Sequence, residues 1–302
     1  MQSDPLAIGF LGVPLKNPVI AASGTFGFGR EYAALFDVSR LGGISGKGLT
    51  LFGSPGNDGT RICETPAGML NSIGLENPGV RKFAEEEAPF LRSLGPAVLC
   101  NLGGHSEEEY VEGARLLNAA DFDFLELNIS CPNVKNGGMA FGMTPESAAD
   151  ITKKVKAVTN RPLIVKLSPN APDLVAVARA CENAGADALS LVNTFLGMAV
   201  DVGAKRAVFD NVYAGLSGPA ILPIALRMTH QVCKAVQIPV IGMGGISSAE
   251  DALRFIMAGA SAVQVGCATF AHPAVMLDII DGLSDYCKTE NLGSIHDVRG
   301  II

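Results

Sequence analysis

The sequence predicts an α/β protein built as a closed (β/α)8 barrel of the TIM-barrel type, with residues 1–302 forming one domain. Eight short apolar runs recur along the chain, and helical patterns lie between most of them. Strands that are apolar almost throughout indicate a parallel sheet covered on both faces, and eight such units favour closure into a barrel. A doubly wound open sheet is the alternative. It is disfavoured because no G-x-G-x-x-G motif follows the first strand.

The first predicted element is a hairpin within residues 1–18, where two strand-like pieces flank a glycine-containing turn. We expect this hairpin to cover the bottom of the barrel. The eight strand-like runs that follow it are 19–22, 43–48, 97–102, 124–129, 163–168, 188–194, 240–245 and 262–267.

Capping residues mark where several helices begin and end. Ser106 starts a capping box, Thr144 precedes a proline at the first helical position, and Ser248 precedes a helix that stops at Gly259. The predicted helices are 106–120, 146–158, 172–184, 219–236, 249–258 and 274–288.

Three connections are longer than a barrel requires, namely residues 50–80, 132–143 and 195–218. Each follows a strand, so each is expected on the C-terminal face, where barrel enzymes carry their active sites. Long loops in compact domains are usually functional or disordered. Because these contain Asn, Gly, Lys and Met without low complexity, function is favoured.

Composition excludes several classes of protein. The formal net charge is −7 and no long basic run is present, which argues against a nucleic-acid partner. The seven cysteines are scattered and none forms a C-x-x-C pair, so we expect a reducing compartment and no disulfide framework, metal site or iron–sulfur cluster in this chain. Without a signal core or a bilayer-spanning apolar run, a soluble cytoplasmic protein is predicted.

A thiol lies where the fourth predicted strand ends. Cys131 follows the apolar run, Pro132 prevents simple continuation of a central strand, and Asn133 begins a polar, glycine-containing loop. Taken alone, this pattern favours a small buried cysteine over a reactive one. The residues at the other strand ends decide between the two interpretations.

Polar side chains converge at the carboxyl ends of the predicted strands. Buried amides and ammonium groups are costly unless they are partnered, so this set indicates a polar ligand. The residues are Ser23, Lys47, Asn101, Asn128, Cys131, Lys166, Asn193 and Thr194.

Two further features bear on that ligand. The glycines at 244–245 and 266 follow the last two strands, where barrels often bind phosphate, although Gly-Gly can also serve only as a tight turn. Lys166, within an apolar run, can form a Schiff base or stabilise negative charge on a cofactor ring. The residues alone leave both alternatives open.

Taken together and in order, the motifs of the chain resemble those of the dihydroorotate dehydrogenases. The resemblance runs from the first strand to the last and rests on residues 22–27, 46–48, 71–75, 128–133, 165–167, 192–194, 242–245 and 265–266. It implies an FMN-containing barrel that oxidises dihydroorotate to orotate in pyrimidine biosynthesis.

The resemblance also implies roles for individual residues. Cys131 would be the catalytic base that takes the substrate proton. FMN would be bound by Ser23, Lys47, Gly48, Asn101, Asn128, Lys166, Val192, Gly218, Gly244, Gly245, Gly266 and Cys267. Dihydroorotate or orotate would be bound by Lys47, Asn71, Ser72, Ile73, Gly74, Leu75, Asn128, Asn193 and Thr194. No metal is expected. Cys267 departs from the Thr or other small residue expected there.

Within the family, a cysteine base and no N-terminal extension are typical of the soluble class 1, and residues 71–79 and 133–142 resemble the NAD-linked class 1B. That class implies a partner subunit carrying FAD and a 2Fe-2S cluster, in a heterotetramer of two catalytic and two electron-transfer subunits, with electrons passed to NAD+. The alternatives are a fumarate-linked class 1A enzyme, another FMN barrel reductase, a flavin-free Schiff-base lyase and a non-catalytic subunit. The four histidines are scattered, and even His105, near a strand end, is interpreted as structural.

Overall fold

The computed structural model describes residues 4–130 and 141–302, and its centre is a closed barrel of eight parallel strands. The strands of the described residues, inside and outside the barrel, are β1 (Ile8–Phe10), β2 (Val13–Leu15), β3 (Val19–Ala21), β4 (Gly43–Ser45), β5 (Ile62–Thr65), β6 (Gly68–Asn71), β7 (Ala97–Leu102), β8 (Phe124–Asn128), β9 (Leu163–Lys166), β10 (Ala188–Leu191), β11 (Phe195–Met198), β12 (Val200–Asp201), β13 (Arg206–Ala207), β14 (Tyr213–Ser217), β15 (Val240–Met243) and β16 (Ala262–Val265). The order around the barrel is β3-β4-β7-β8-β9-β10-β15-β16, closing on β3. The predicted barrel is confirmed.

Helices lie between successive barrel strands. They are α1 (Arg30–Ala33), α2 (Val80–Lys82), α3 (Ala88–Leu94), α4 (Glu107–Leu117), α5 (Pro145–Lys156), α6 (Leu174–Asn183), α7 (Leu222–Cys233), α8 (Ala249–Met257), α9 (Ala268–Ala271) and α10 (Val275–Thr289). Single turns of 3-10 helix occupy Val38–Arg40, Pro219–Ile221 and Ile295–Val298, and a π-helical stretch, Phe83–Glu87, joins α2 to α3. In the described ranges, every helix is too short or too polar to traverse a lipid bilayer.

The barrel strands are buried along their whole length, as their apolar sequences require. At the start of β8, the Phe124 ring packs edge-on against Phe10 of the N-terminal hairpin, with ring centroids 5.5 Å apart. The hairpin therefore covers the amino-terminal end of the barrel, which confirms its predicted place. The opposite end is left for the loops that follow the strands.

The capping signals are confirmed in detail. Ser106 Oγ accepts a hydrogen bond from the Glu109 N–H at 3.3 Å, and Ser248 does the same for Asp251 at 3.1 Å. The predicted helix 219–236 is interrupted, since a 3-10 turn at Pro219–Ile221 precedes α7 and Pro223 lies in the first turn of α7. Proline fits a first turn because its missing N–H would have no partner there.

Two of the predicted long loops contain strands that the sequence analysis did not identify. From residues 50–80 come β5 and β6, and from 195–218 come β11 and β14. Together they form an antiparallel sheet in the order β11-β14-β6-β5. Asn71 is the register partner of Gly215 in this sheet. The sheet depends on pairing between segments more than 140 residues apart, which local sequence patterns do not reveal. Most of the third predicted loop, 132–143, lies outside the described residues.

Candidate active site

A cavity opens at the carboxyl ends of the barrel strands and is bordered on one side by the antiparallel sheet. Its lining includes most of the residues predicted to bind ligands: Ser23, Lys47, Gly48, Asn71, Ile73, Gly74, Leu75, Asn128, Lys166, Val192, Asn193, Thr194, Gly218, Gly244, Gly245, Gly266 and Cys267. The side chains therefore converge on one place, as the barrel prediction required. Whether each of them binds a ligand stays a prediction.

Two predicted site residues, Asn101 and Ser72, are absent from this lining, and a third falls outside the described part of the chain. Asn101 lies beneath the cavity, where its amide donates to a buried carboxylate. Ser72 turns away from the cavity lining, and its hydroxyl oxygen accepts hydrogen bonds from the side-chain amides of Asn57 and Asn211 at 3.1 and 3.2 Å. Cys131 lies outside the described residues. Its role as the base therefore stays a prediction.

Two lysines bring positive charge to the cavity. Lys166, the last residue of β9, is only 4% exposed, and no residue in the ranges 4–130 and 141–302 accepts a hydrogen bond from its ammonium group. Burial lowers the pKa of Lys47; nearby Glu76 opposes this and Arg61 adds to it. A buried ammonium such as that of Lys166, with no hydrogen-bond acceptor in the described ranges, indicates a ligand that carries negative charge or strong acceptors.

Amide and hydroxyl groups form a chain along the cavity wall. The Asn128 amide donates to Asn101 Oδ1 at 3.3 Å, and Asn128 Oδ1 accepts from the Ser130 hydroxyl at 2.8 Å. Ser130 Oγ in turn accepts from the Asn193 amide at 2.8 Å, and Asn193 Oδ1 accepts from the Thr194 N–H at 2.8 Å. This amide chain, defined as residues 101, 128, 130, 193 and 194, joins strand ends from three parts of the barrel.

Directly below the cavity, the barrel interior is polar. Glu126 Oε2 accepts from the Ser45 hydroxyl and the Asn101 amide, each at 2.7 Å, and its Oε1 accepts from the Ser190 hydroxyl and the Gln264 amide, each at 2.8 Å. We call Ser45, Glu126, Ser190 and Gln264 the polar layer. They come from β4, β8, β10 and β16, every second strand of the barrel. Barrel interiors are filled by such alternate-strand layers, usually with branched apolar residues.

The Glu126 carboxylate is fully buried. Burial alone would raise its pKa, but the charge of Lys166 and the hydrogen bonds from Ser45, Asn101 and Ser190 outweigh burial and lower it. The carboxylate is therefore ionised at neutral pH. Glu126 is not among the site residues predicted from the sequence. The available signal was a charged side chain in the apolar strand β8, at an inward-facing position two residues before Asn128.

The glycine turn after β15 is fixed by both backbone and packing. Gly244 and Gly245 have φ angles of 130° and 78°, a region that L-residues rarely adopt. A Cβ at Gly245 would lie 2.7 Å from Leu222 Cβ and 2.9 Å from the Gly218 carbonyl oxygen. Both glycines line the cavity, so the backbone rather than side chains faces a ligand there.

Fold and site together define a class: a (β/α)8-barrel protein whose strand ends hold a polar, doubly cationic ligand cavity. Comparison with known proteins gives the family. The family model described as dihydroorotate dehydrogenase matches residues 5–286. The chain belongs to the dihydroorotate dehydrogenase family.

Similar curated proteins indicate which branch of the family the chain resembles. The chain is 53% identical over 295 residues to a protein of Petrotoga mobilis, with 98% of both chains covered. It is 52% identical over 289 residues to one of Thermoanaerobacter pseudethanolicus, with 96% of both covered, and 52% identical over 297 residues to one of Brachyspira hyodysenteriae, with 98% of both covered. All three relatives are named dihydroorotate dehydrogenase B (NAD(+)), catalytic subunit. The predicted resemblance to the NAD-linked class 1B is thereby confirmed.

Proposed function

We propose that this chain is the FMN-containing catalytic subunit of an NAD-linked dihydroorotate dehydrogenase, which oxidises dihydroorotate to orotate in pyrimidine biosynthesis. The observation that carries the proposal is the buried ammonium of Lys166 at the cavity floor, with no hydrogen-bond acceptor among the described residues, in a chain of this family. The scattered free cysteines support a reducing compartment such as the cytoplasm. We take the whole chain as one domain.

The residues present fit FMN. The cavity combines a backbone-lined glycine turn, suited to a phosphate, with the Lys166 ammonium and a buried carboxamide oxygen, Gln264 Oε1, that lacks a partner in the described part of the chain. The residues that would hold FMN are Ser23, Lys47, Gly48, Asn101, Asn128, Lys166, Val192, Gly218, Gly244, Gly245, Gly266 and Cys267. When bound, FMN supplies a hydride acceptor.

Lysine and amide groups of the same cavity suit an anionic pyrimidine. Once their hydrogen bonds to other described residues are made, the side-chain amides of Asn128 and Asn193 each retain one N–H. Carbonyl and carboxylate oxygens of orotate are acceptors for such groups, and Lys47 adds charge. The residues that would bind the substrate are Lys47, Asn71, Ser72, Ile73, Gly74, Leu75, Asn128, Asn193 and Thr194.

Cys131 is proposed as the base that removes the proton from C5 of dihydroorotate while the hydride leaves C6. It directly follows Ser130, whose hydroxyl lies between Asn128 and Asn193 in the amide chain. A thiol with an ordinary pKa of about 8.5 is only partly ionised at neutral pH. The rate of proton removal should therefore rise with pH until the thiolate form is complete.

Electrons are proposed to leave through a partner subunit carrying FAD and a 2Fe-2S cluster, in an assembly of two catalytic and two electron-transfer subunits. The relatives are named as catalytic subunits, which supports a division of labour. Ile62 and Phe270, at the cavity lining, are 57% and 52% exposed, and apolar side chains at this position suit a contact with a protein.

The test is to co-purify the chain from its own source and to assay dihydroorotate oxidation with NAD+, fumarate and quinone. We expect a yellow complex that reduces NAD+ and an isolated chain that does not. Fumarate reduction by the isolated chain would overturn the NAD-linked assignment. A colourless protein that fails to bind added FMN would overturn the flavin assignment.

A further inference from the structure

We propose that Glu126, which no predicted ligand set contains, is a positioning residue for the whole cavity: its carboxylate fixes the orientation of the surrounding amides and balances the charge of Lys166. The proposal rests on the proposed function, because its readouts use bound FMN and orotate. It starts from the polar layer, where Glu126 receives hydrogen bonds from strands on three sides of the barrel.

Each hydrogen bond to Glu126 has a fixed direction. An ionised carboxylate can only accept, so every neighbour must point a donor at Glu126. Asn101 therefore directs its N–H group down and its carbonyl oxygen toward Asn128. Gln264 directs its N–H group to Glu126 as well, which leaves its carbonyl oxygen as a buried acceptor without a partner in the described ranges.

The amide chain continues outward from Asn101. Because Asn101 Oδ1 accepts, Asn128 must present its N–H group to it and its own oxygen to Ser130. Ser130 then donates to Asn128 and accepts from Asn193, so Asn193 too has one orientation. Carboxamides can normally rotate by half a turn at little cost. The backbone N–H groups of Ser130 and Thr194 also donate to Asn128 Oδ1 and Asn193 Oδ1, at 3.2 and 2.8 Å. The anion at the start of the chain and these backbone donors therefore favour the same orientation of the two amides.

Glu126 also carries a negative charge close to Lys166. Glu126 and Lys166 lie on neighbouring strands, β8 and β9, and the charge of Lys166 acts on the Glu126 carboxylate. Replacing Glu126 with glutamine keeps the size of the side chain but removes its negative charge, so the positive charge beneath the ligand is no longer balanced. The glutamine also places its own N–H groups opposite side chains that donate hydrogen bonds to Glu126. A neighbouring amide must then turn so that its oxygen accepts instead.

The test uses the full-length FMN-loaded protein with Glu126→Gln, and Glu87→Gln as the matched control. Like Glu126, Glu87 is a buried carboxylate, with 9% exposure, and it forms an ion pair with Arg30 at 2.9 Å. Glu87 is not part of the cavity lining. We expect Glu126→Gln to shift the midpoint potential of the bound flavin to the positive side, because a negative charge near the cavity is lost. We also expect it to weaken orotate binding about ten-fold through the amides that turn, which is the effect of losing one ordinary hydrogen bond. Glu87→Gln should change neither quantity, and Glu126→Asp should keep the potential near that of the wild type.

Ser130→Ala extends the test if Glu126→Gln does not fold. It interrupts the amide chain without touching Glu126 or Lys166, so orotate binding should weaken while the flavin potential stays unchanged. Unchanged orotate affinity in Ser130→Ala, or an unchanged or negative shift of potential in Glu126→Gln, would overturn the inference. Failure of the wild-type protein to bind FMN or to be reduced by dihydroorotate would instead refute the proposed function, so the two failures are distinguishable.

Discussion

Replacing Lys166 with methionine gives the sharpest test of the cavity floor. The side chain is only 4% exposed, so its charge is poorly screened by water. At an effective dielectric constant of about 20 and a separation of about 5 Å, the attraction between this ammonium group and one negative charge is about 3 kcal/mol. Two-electron reduction of FMN to its anionic form adds one such charge, so the substitution should destabilise the reduced form by a similar amount.

For a two-electron couple, about 3 kcal/mol corresponds to a fall of about 60 mV in midpoint potential. The assay is equilibrium redox titration of the purified FMN protein with an indicator dye. Lys234→Met is the matched control, since Lys234 is exposed at the end of α7. A potential that stays within a few millivolts of the wild type, or that falls equally in Lys234→Met, would refute the reasoning that Lys166 stabilises the reduced flavin.

Three further outcomes are expected. Cys131→Ala should slow anaerobic flavin reduction by dihydroorotate at least about 100-fold, because the proposed base is missing, while orotate still binds. Stopped-flow absorbance measures the rate of flavin reduction. Reduction at the wild-type rate would exclude Cys131 as the base. Because burial lowers the pKa of Lys47, its positive charge is lost at a lower pH than in an exposed lysine, so orotate should bind more weakly as pH rises through that range. Lys47→Gln should remove this pH dependence of orotate binding. A pH dependence that persists in the variant would show that another group causes it. Gly245→Ala should lower the melting temperature and the FMN affinity, because the added Cβ would lie 2.7 Å from Leu222 and the backbone φ of 78° is strained for alanine. Gly293→Ala is the control, since its added Cβ would have its nearest contact at 3.7 Å, and it should change neither quantity. Calorimetry and FMN titration measure both variants, and equal melting temperatures would contradict the packing argument.

The barrel and most of the cavity lining could be predicted because they depend on local signals. Apolar runs identified the barrel strands, Ser106 and Ser248 identified helix starts, and residues at strand ends meet at one face in any closed parallel barrel. The antiparallel sheet could not be predicted in this way. Its strands pair Asn71 with Gly215, and nothing near either residue indicates the other.

The polar layer shows a different limit. Glu126 and Gln264 each lie within an apolar strand, where a single polar residue has several interpretations. Only closure of the barrel shows that Glu126 faces Gln264 across the interior, and that Ser45 and Ser190 complete the same layer. Sequence patterns locate residues on strands, but contacts across the barrel require the three-dimensional arrangement.

The antiparallel sheet also constrains how the loops of this protein can change. Because β6 and β14 are hydrogen-bonded to each other, the loop after the second barrel strand and the loop after the sixth form one structural unit. A deletion in either would leave the partner with an unpaired strand edge, which invites association with other chains. Insertions and deletions in these two loops should therefore be accepted in matched pairs, and an attempt to transplant one loop into a different barrel should succeed only when the other is moved with it.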